Sequence, residues 1–186
     1  MIRLRSAFVV ACVLLTGCVS RPSNEALSET PRPLLAPATL GADRSATQVV
    51  RGAFGEREMT MNCVVTVKGD VMTIVGLSAV GVRLFTMKYD GQATSVDNNV
   101  PIPPQLTPER LLADLQLVYW PLNMLEKPLA AAGWQLSEVG SGTRRLRRES
   151  RLVAEVHYAG ADAWSNRAWL VNLEHGYTLS IDSKAL

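Results

Sequence analysis

The sequence has little histidine and cysteine, and it lacks an excess of either charge. Its two histidines and three cysteines leave few residues for a metal or nucleophilic site. Cys12, Cys18 and Cys63 are too few and too scattered for a zinc framework or a disulfide scaffold. Without Arg3 and Arg5, which lie in a segment that we expect to be removed, the 19 Lys+Arg become 17 and balance the 17 Asp+Glu. This balance argues against nucleic-acid binding driven by bulk charge.

Enzyme motifs are also missing. No G-x-S-x-G nucleophile elbow occurs. Residues 140–142 (GSG) are interpreted as a turn, because no Lys-Ser or Lys-Thr pair follows them. His157 and His175 each have a glutamate nearby but lack metal-ligand spacing such as H-x-x-x-H. Cys63 lies in an alternating strand pattern that favours a small buried hydrophobe. We therefore expect no enzyme, no metal and no cofactor.

Apolar residues, by contrast, are plentiful enough for one packed domain. Hydrophobic residues make up 47% and charged residues 19%, which excludes a wholly disordered chain. A length of 186 residues suits one domain, or one domain with a tail. The pattern along the chain predicts three parts: a signal peptide at residues 1–17, a lipidated cysteine with a Pro-rich linker at residues 18–46, and a folded domain at residues 47–186.

The first eighteen residues are typical of a secretory signal. Arg3 and Arg5 precede an apolar run at residues 7–15, which is shorter than the about 20 residues needed to span a bilayer. The run ends in residues 15–18 (LTGC), which resemble the bacterial lipobox. This resemblance implies that the chain is cut before Cys18, that the thiol receives a diacylglycerol and that the new amine is acylated. The alternatives are an ordinary signal peptide cut near Gly17 and a membrane anchor.

A lipidated Cys18 would determine where the protein is located. Two or more acyl chains hold a protein durably at a membrane, whereas one chain holds it marginally. Val19 follows the cysteine, in the position where aspartate retains lipoproteins at the inner membrane of enterobacteria, so the outer membrane is expected. The prolines, serines and alanines of residues 19–46 are typical of an extended linker. We therefore expect a domain on the periplasmic face, attached to the membrane through its lipid anchor.

The first half of the domain predicts antiparallel strands. Residues 59–67 alternate with period two, which places Met59 and every second residue after it on one face. Hairpin turns are predicted at residues 68–70 and 90–91. Counting a first strand at residues 48–55, the pattern predicts a meander of about five strands.

Two helices and further strands follow. Thr107 and Pro108 are typical of an N-cap and a first helical position, and residues 111–119 carry an apolar helical stripe. A shorter helix is predicted at residues 122–127, and it is expected to bend or restart at Pro128 and to end before Gly133, a natural C′ residue. The last predicted strands are residues 134–137, 143–148, 152–158, 167–173 and 177–182. The fold class is therefore mainly β with a helical insert (α+β), an incomplete antiparallel β-barrel of about ten strands with helices lidding its concave face.

Four segments of the domain resemble a known superfamily in order and spacing. They are residues 51–55 (RGAFG), 77–81 (LSAVG), 111–121 (LLADLQLVYWP) and 176–181 (GYTLSI). The domain resembles the LolB-like lipoproteins of the LolA/LolB superfamily, and more closely a branch of outer-membrane lipoproteins whose members tend to be encoded beside fatty-acid or aryl-polyene synthesis genes. The resemblance implies a half-barrel whose concave face accepts acyl chains.

The same resemblance implies partners and site residues. The expected partners are the membrane, reached through the lipid anchor, and acylated cargo, either a lipoprotein or a glycolipid or aryl-polyene lipid, received from a periplasmic LolA-like carrier. We expect no binding to nucleic acid, and we expect the protein to be a monomer. Ala79, Val80 and Gly81 match the family's membrane-insertion loop. The candidates for the lipid cavity are Met59, Met61, Cys63, Val65, Met72, Ile74, Leu84, Phe85, Met87, Leu115, Tyr119, Trp120 and Leu125.

Several alternatives stay open on sequence alone. The cavity candidates could equally fill a closed core. The function could be the binding and insertion of lipidated cargo at the outer membrane, or an accessory role in which the domain docks a protein partner of a cell-envelope lipid pathway. Arg144, Arg145, Arg147, Arg148 and Arg151 could meet lipid headgroups. The favoured interpretation of these arginines is a solvated hairpin whose charges discourage edge pairing.

Overall fold

The computed structural model describes residues 31–101 and 105–186. The signal peptide, Cys18 and the linker up to residue 30 lie outside the described residues, so the predictions made for them stay predictions. Residues 31–186 form one compact unit. Its strands are β1 (Arg44–Phe54), β2 (Arg57–Lys68), β3 (Val71–Leu77), β4 (Arg83–Tyr89), β5 (Thr94–Asn98), β6 (Trp134–Val139), β7 (Thr143–Arg148), β8 (Arg151–Tyr158), β9 (Arg167–Asn172) and β10 (Tyr177–Ala185). Its helices are α1 (Pro108–Tyr119) and α2 (Leu122–Ala131), with a 3₁₀ turn at Pro37–Leu40.

The ten strands form one antiparallel sheet in the order 5-4-3-2-1-10-9-8-7-6. Strands β5 and β6 do not pair with each other, so the sheet is open. Helix α1 packs against β5 and β9, and α2 packs against β6. The predicted fold class, an incomplete antiparallel β-barrel with a helical insert, is confirmed.

The core lies on the concave face of the sheet, because apolar residues recur at every second position along the strands. On β2 the inward residues run from Met61 through Cys63 and Val65 to Val67, all buried. The first strand begins at Arg44 rather than at the predicted residue 48. Its additional residues are held by the pairs Ala46 with Ala185 on β10 and Arg44 with Val67 on β2.

The helices start and end for local reasons. The side chain of Thr107 accepts a hydrogen bond from the backbone N–H of Arg110, and Pro108 occupies the first turn, as predicted. Helix α2 continues through Pro128 and ends at Ala131, before Gly133 as predicted. The chain then turns at Gly133, whose φ of 82° favours glycine.

Residues 31–40, which we call the strap, run alongside α1 before β1 begins. The backbone N–H of Leu35 donates to Oε1 of Gln116 at 2.9 Å, and Nε2 of Gln116 donates to the carbonyl of Leu35 at 2.7 Å. Further along, Nε1 of Trp120 donates to Oγ1 of Thr39 at 2.8 Å. Packed structure therefore precedes residue 47, the first residue of the expected domain.

The antiparallel pairing divides the connections between strands into two rims. The first, which we call the mouth rim, has the turn at residues 55–56, the loop at 78–82, and the turns at 149–150 and 173–176. The opposite rim, the far rim, has the turns at residues 69–70 and 140–142 and the loop at 159–166. Helix α1 begins near the mouth rim and ends near the far rim, where the Tyr119 hydroxyl meets Ser183.

Candidate functional site

An apolar cavity lies between α1 and the half of the sheet formed by β1 to β4 and β10. Its volume is about 90 Å³. Side chains from β2 and β4 form much of the wall, and Leu111 and Leu115 of α1 cover it. The full lining is Gln48, Val50, Gly52, Met59, Met61, Cys63, Val65, Ile74, Leu84, Phe85, Met87, Val100, Pro101, Leu106, Leu111, Leu115, Leu179 and Ile181. Such a wall suits an apolar ligand and offers little to a polar one.

Most of the residues predicted for the cavity lie in this wall. They are Met59, Met61, Cys63, Val65, Ile74, Leu84, Phe85, Met87 and Leu115. The other four are buried in the core but outside the lining. Met72 pairs with Tyr89 near the far rim, Tyr119 packs on Trp164, Trp120 binds Thr39, and Leu125 packs beside Leu146 and other residues on the far side of α1.

Sequence reasoning missed nine residues of the lining. Val50 and Leu179 enter it because β1 pairs with β10 across more than a hundred residues, a pairing that no local pattern reveals. Gly52, also on β1, leaves room for an aromatic ring, since a Cβ there would lie 2.6 Å from Cε2 of Phe54. The other missed residues are Gln48, Val100, Pro101, Leu106, Leu111 and Ile181.

The inner part of the cavity has a polar group, one strand pair before Val65 and Ile74. Gln48 is 3% exposed, and its Nε2 donates to the hydroxyl of Tyr119 at 2.7 Å. That hydroxyl lies 2.9 Å from Oγ of Ser183. Burial raises the pKa of Tyr119, so the phenol stays neutral. Burial also raises the pKa of Cys63 to about 12, so its thiol is protonated and a poor nucleophile.

The near end of the cavity is lined by Gly52, Met59 and Leu84, at the same rim of the sheet as the loop of residues 78–82. The backbone N–H of Ser78 donates to the carbonyl of Val82 at 2.8 Å, and Oγ of Ser78 accepts from the N–H of Val82 at 3.1 Å. A further turn bond, from the N–H of Gly81 to the carbonyl of Ser78, closes the loop. This framework leaves Val80 85% exposed and Val82 61% exposed, an unusual position for two apolar side chains.

Behind the cavity, α1 is fixed by a buried polar cluster. The Asp114 carboxylate forms an ion pair with Arg32 of the strap and accepts a hydrogen bond from the Tyr177 hydroxyl. Asn172 of β9 donates to the same hydroxyl at 3.0 Å. Burial and the nearby Asp114 carboxylate raise the pKa of Tyr177. Helix α1 is therefore joined to β9, β10 and the strap by groups that share one carboxylate.

The arginine hairpin is largely occupied by contacts within the chain. Nη1 of Arg144 donates to the carbonyls of Leu117 and Trp120, at the end of α1. The other four are also engaged: Arg145 with Glu155, Arg147 with the carbonyl of Ser150, Arg148 over the ring of Trp134, and Arg151 with Glu174. The Arg145 hydrogen bond lowers the pKa of Glu155.

Within residues 31–101 and 105–186, no three metal-ligating side chains come together. None of the helices described is both long and apolar enough to cross a bilayer.

Comparison with known proteins gives a family and several distant structures. The family described as "Protein of unknown function (DUF3261)" matches residues 45–185. No curated protein sequence matches the chain significantly. A LolA superfamily protein from Nitrosomonas europaea is similar in structure, with 11% identity, a TM-score of 0.47, and coverage of 82% of this chain and 92% of that chain.

Two other solved structures are similar at lower scores. A DUF1329 family protein from Desulfovibrio piger has 9% identity and a TM-score of 0.34, and covers 76% of this chain and 83% of its own. A domain assigned to outer-membrane lipoprotein sorting from Vibrio parahaemolyticus has 7% identity and a TM-score of 0.38, with the same coverage of 76% and 83%. TM-scores below 0.5 are too low to carry an inference about ligands or partners.

Proposed function

We propose that this chain, which belongs to the DUF3261 family, binds the acyl chains of lipidated cargo. The description of the family gives no activity, so the proposal rests on the geometry of the chain itself. The observation that carries this proposal is the apolar cavity under α1, whose lining extends to the mouth-rim ends of β1, β2 and β4. Each methylene moved from water into such a cavity contributes about 0.8 kcal/mol. A chain of several methylenes would therefore be held without any covalent chemistry.

The cavity must widen to accept such a chain. A volume of about 90 Å³ is smaller than the engineered cavity of about 150 Å³ that holds benzene in another protein. The walls suit a change of shape, because Met59, Met61 and Met87 have unbranched side chains that repack at low cost. Helix α1 is tied to the strap and to β9 through Asp114, so we expect the methionines rather than α1 to move.

We further propose that the protein acts at the periplasmic face of the outer membrane, as a domain anchored through Cys18. The cargo would be a lipoprotein or a glycolipid or aryl-polyene lipid, received from a soluble carrier and inserted with the help of the loop at Val80. The support for this part is the sequence resemblance together with the exposure of Val80 and Val82 beside the mouth.

Native mass spectrometry tests the proposal. Residues 20–186, which include the whole compact unit, are exported to the periplasm behind a cleavable signal peptide and purified without detergent. We expect an excess mass that dissociates into acyl lipid on denaturation. A clean apoprotein mass, unchanged after incubation with fatty acids and acylated peptides, would contradict acyl binding and favour the docking of a protein partner.

A pair of variants makes the test specific to the cavity. Val50→Phe places a ring in the space that Val50 lines and should abolish the bound mass. The neighbouring Val49→Phe is the matched control, because Val49 lies on the opposite face of β1, between Asp182 and Asn62. Both variants must melt cooperatively. Equal loss of lipid in the two would mean that the lipid binds outside the cavity.

A further inference from the structure

One polar side chain lies in an otherwise apolar wall. Gln48 occupies an inward position of β1, between Ala46 and Val50, where alternation predicts an apolar residue. Among the described residues that line the cavity, it is the one with an amide, and none has a charge. A buried amide is costly unless its hydrogen bonds are made. Its presence therefore needs a reason.

Only part of the hydrogen-bonding capacity of the Gln48 amide is used within the chain. Nε2 donates one hydrogen bond to the Tyr119 hydroxyl, which is itself held by Ser183. Among the described residues no hydrogen bond reaches Oε1 of Gln48. An amide has one acceptor oxygen and two N–H donors, so this group is oriented on one side by Tyr119 and retains hydrogen-bonding capacity toward the cavity that it lines.

The position of Gln48 determines how far a bound chain must extend into the cavity to reach the amide. Gly52 lies toward the mouth rim on the same strand, beside Met59 and Leu179. Four residues of a strand separate Gly52 from Gln48, which corresponds to about 13 Å at a rise of about 3.3 Å per residue. A chain that enters at the mouth would meet apolar side chains over this distance and then the amide, before it reaches Val65 and Ile74.

We propose that the bound chain has a hydroxyl group that hydrogen-bonds to Gln48 in the inner part of the cavity, so that the cargo belongs to the class of hydroxylated acyl chains. This inference rests on the proposed function, since it assumes that the cavity takes an acyl chain. A hydroxyl suits the site because it both donates and accepts, and so pairs with either side of an amide. A carboxylate does not, because the wall provides no positive charge to compensate it.

The test compares plain and hydroxylated fatty acids. The mature, lipid-anchored protein is held in nanodiscs, and dissociation constants are measured by calorimetry against empty nanodiscs. The probes are the saturated acids from octanoic to hexadecanoic acid and their terminally hydroxylated analogues. We expect one hydroxylated length to bind about fivefold to tenfold more tightly than its plain counterpart, the effect of one buried hydrogen bond.

Variants locate the preference. Gln48→Met keeps the length of the side chain and removes the amide, so it should bind plain acids as well as wild type does and lose the preference for the hydroxyl. Met61→Leu, an apolar exchange in the same wall, should keep it. If Gln48→Met does not fold, moving the hydroxyl along the chain in the wild type decides, with the tightest binding expected about 13 Å from the mouth.

Three results would overturn the inference, and they differ in what else they affect. Equal binding of plain and hydroxylated acids at every length and hydroxyl position would overturn the hydroxyl specificity and leave acyl binding intact. A preference that survives in Gln48→Met would place the hydroxyl elsewhere. A wild type that binds no acid of either kind would overturn the proposed function as well.

Discussion

At the scale of single residues, the buried carboxylate of Asp114 makes a large contribution to the free energy of unfolding. It is within reach of Arg32, Asn172 and the Tyr177 hydroxyl, and its side chain is 2% exposed. Removing one partner from a buried ion pair leaves a charge without compensation, which costs about 3–5 kcal/mol. The stability of the domain therefore depends on a contact between the strap and the middle of α1.

A stability measurement tests this dependence. Arg32→Leu should lower the free energy of unfolding in urea by about 3–5 kcal/mol, whereas Arg51→Leu should change it by about 1 kcal/mol or less. Arg51 is a matched control because it also forms an ion pair with an aspartate, Asp182, but its side chain is 55% exposed. Equal effects of the two substitutions would contradict a special role for the buried pair, and the double variant Arg32→Leu with Asp114→Leu should recover part of the loss.

At the scale of elements, the loop of residues 78–82 is the feature best suited to contact lipid. Its backbone is held by Ser78, so Val80 projects without support from the core. Placing one valine side chain in the apolar part of a bilayer contributes about 1.5 kcal/mol, whereas a charge there is opposed by its desolvation.

Val80→Glu should therefore weaken the binding of residues 20–186 to liposomes by about tenfold or more. Flotation of the unlipidated domain with vesicles gives the bound fraction. Val71→Glu is the control, since Val71 is also exposed, at 39%, but lies at the far rim. Undiminished flotation of Val80→Glu, or an equal loss in both variants, would exclude the loop as a specific membrane contact.

The secondary-structure elements also show which features of the fold the sequence predicts and which it does not. The strands and α1 follow from local periodicity, and the end of α2 before Gly133 follows from the preference of the C′ position for glycine. The strap does not, because it is held to α1 by the contacts of Arg32 with Asp114 and of Leu35 with Gln116, whose partners are 82 and 81 positions apart in sequence. For the same reason the sequence does not account for a glutamine at position 48. Its hydrogen-bond partner Tyr119 and the nearby Ser183 are distant from it in sequence.

At the scale of the whole molecule, exposed apolar side chains lie at both rims of the sheet. The mouth rim has Val80 and Val82, and its β9–β10 turn adds Leu173, which is 52% exposed. The far-rim turns at residues 69–70 and 140–142 consist of Gly, Asp and Ser, but Val71, Val139 and Leu186 are exposed beside them or at the same rim. An acyl chain that leaves the cavity for a bilayer avoids water only if the mouth faces that bilayer.

The orientation of the whole domain can be measured with an environment-sensitive dye. Single cysteines at Leu173→Cys and at Ser141→Cys, in a Cys63→Ala background, place the dye on the mouth rim and on the far rim respectively. We expect a blue shift with liposomes at position 173 and none at position 141, because only the mouth rim enters the interface. Leu173 is separated from the loop at Val80 by β10, β1 and β2, so a shift there reports the docking of the rim rather than of one loop. A blue shift at position 141 alone would mean that the cavity mouth faces away from the membrane. Acyl transfer into the bilayer would then require the chain to cross water.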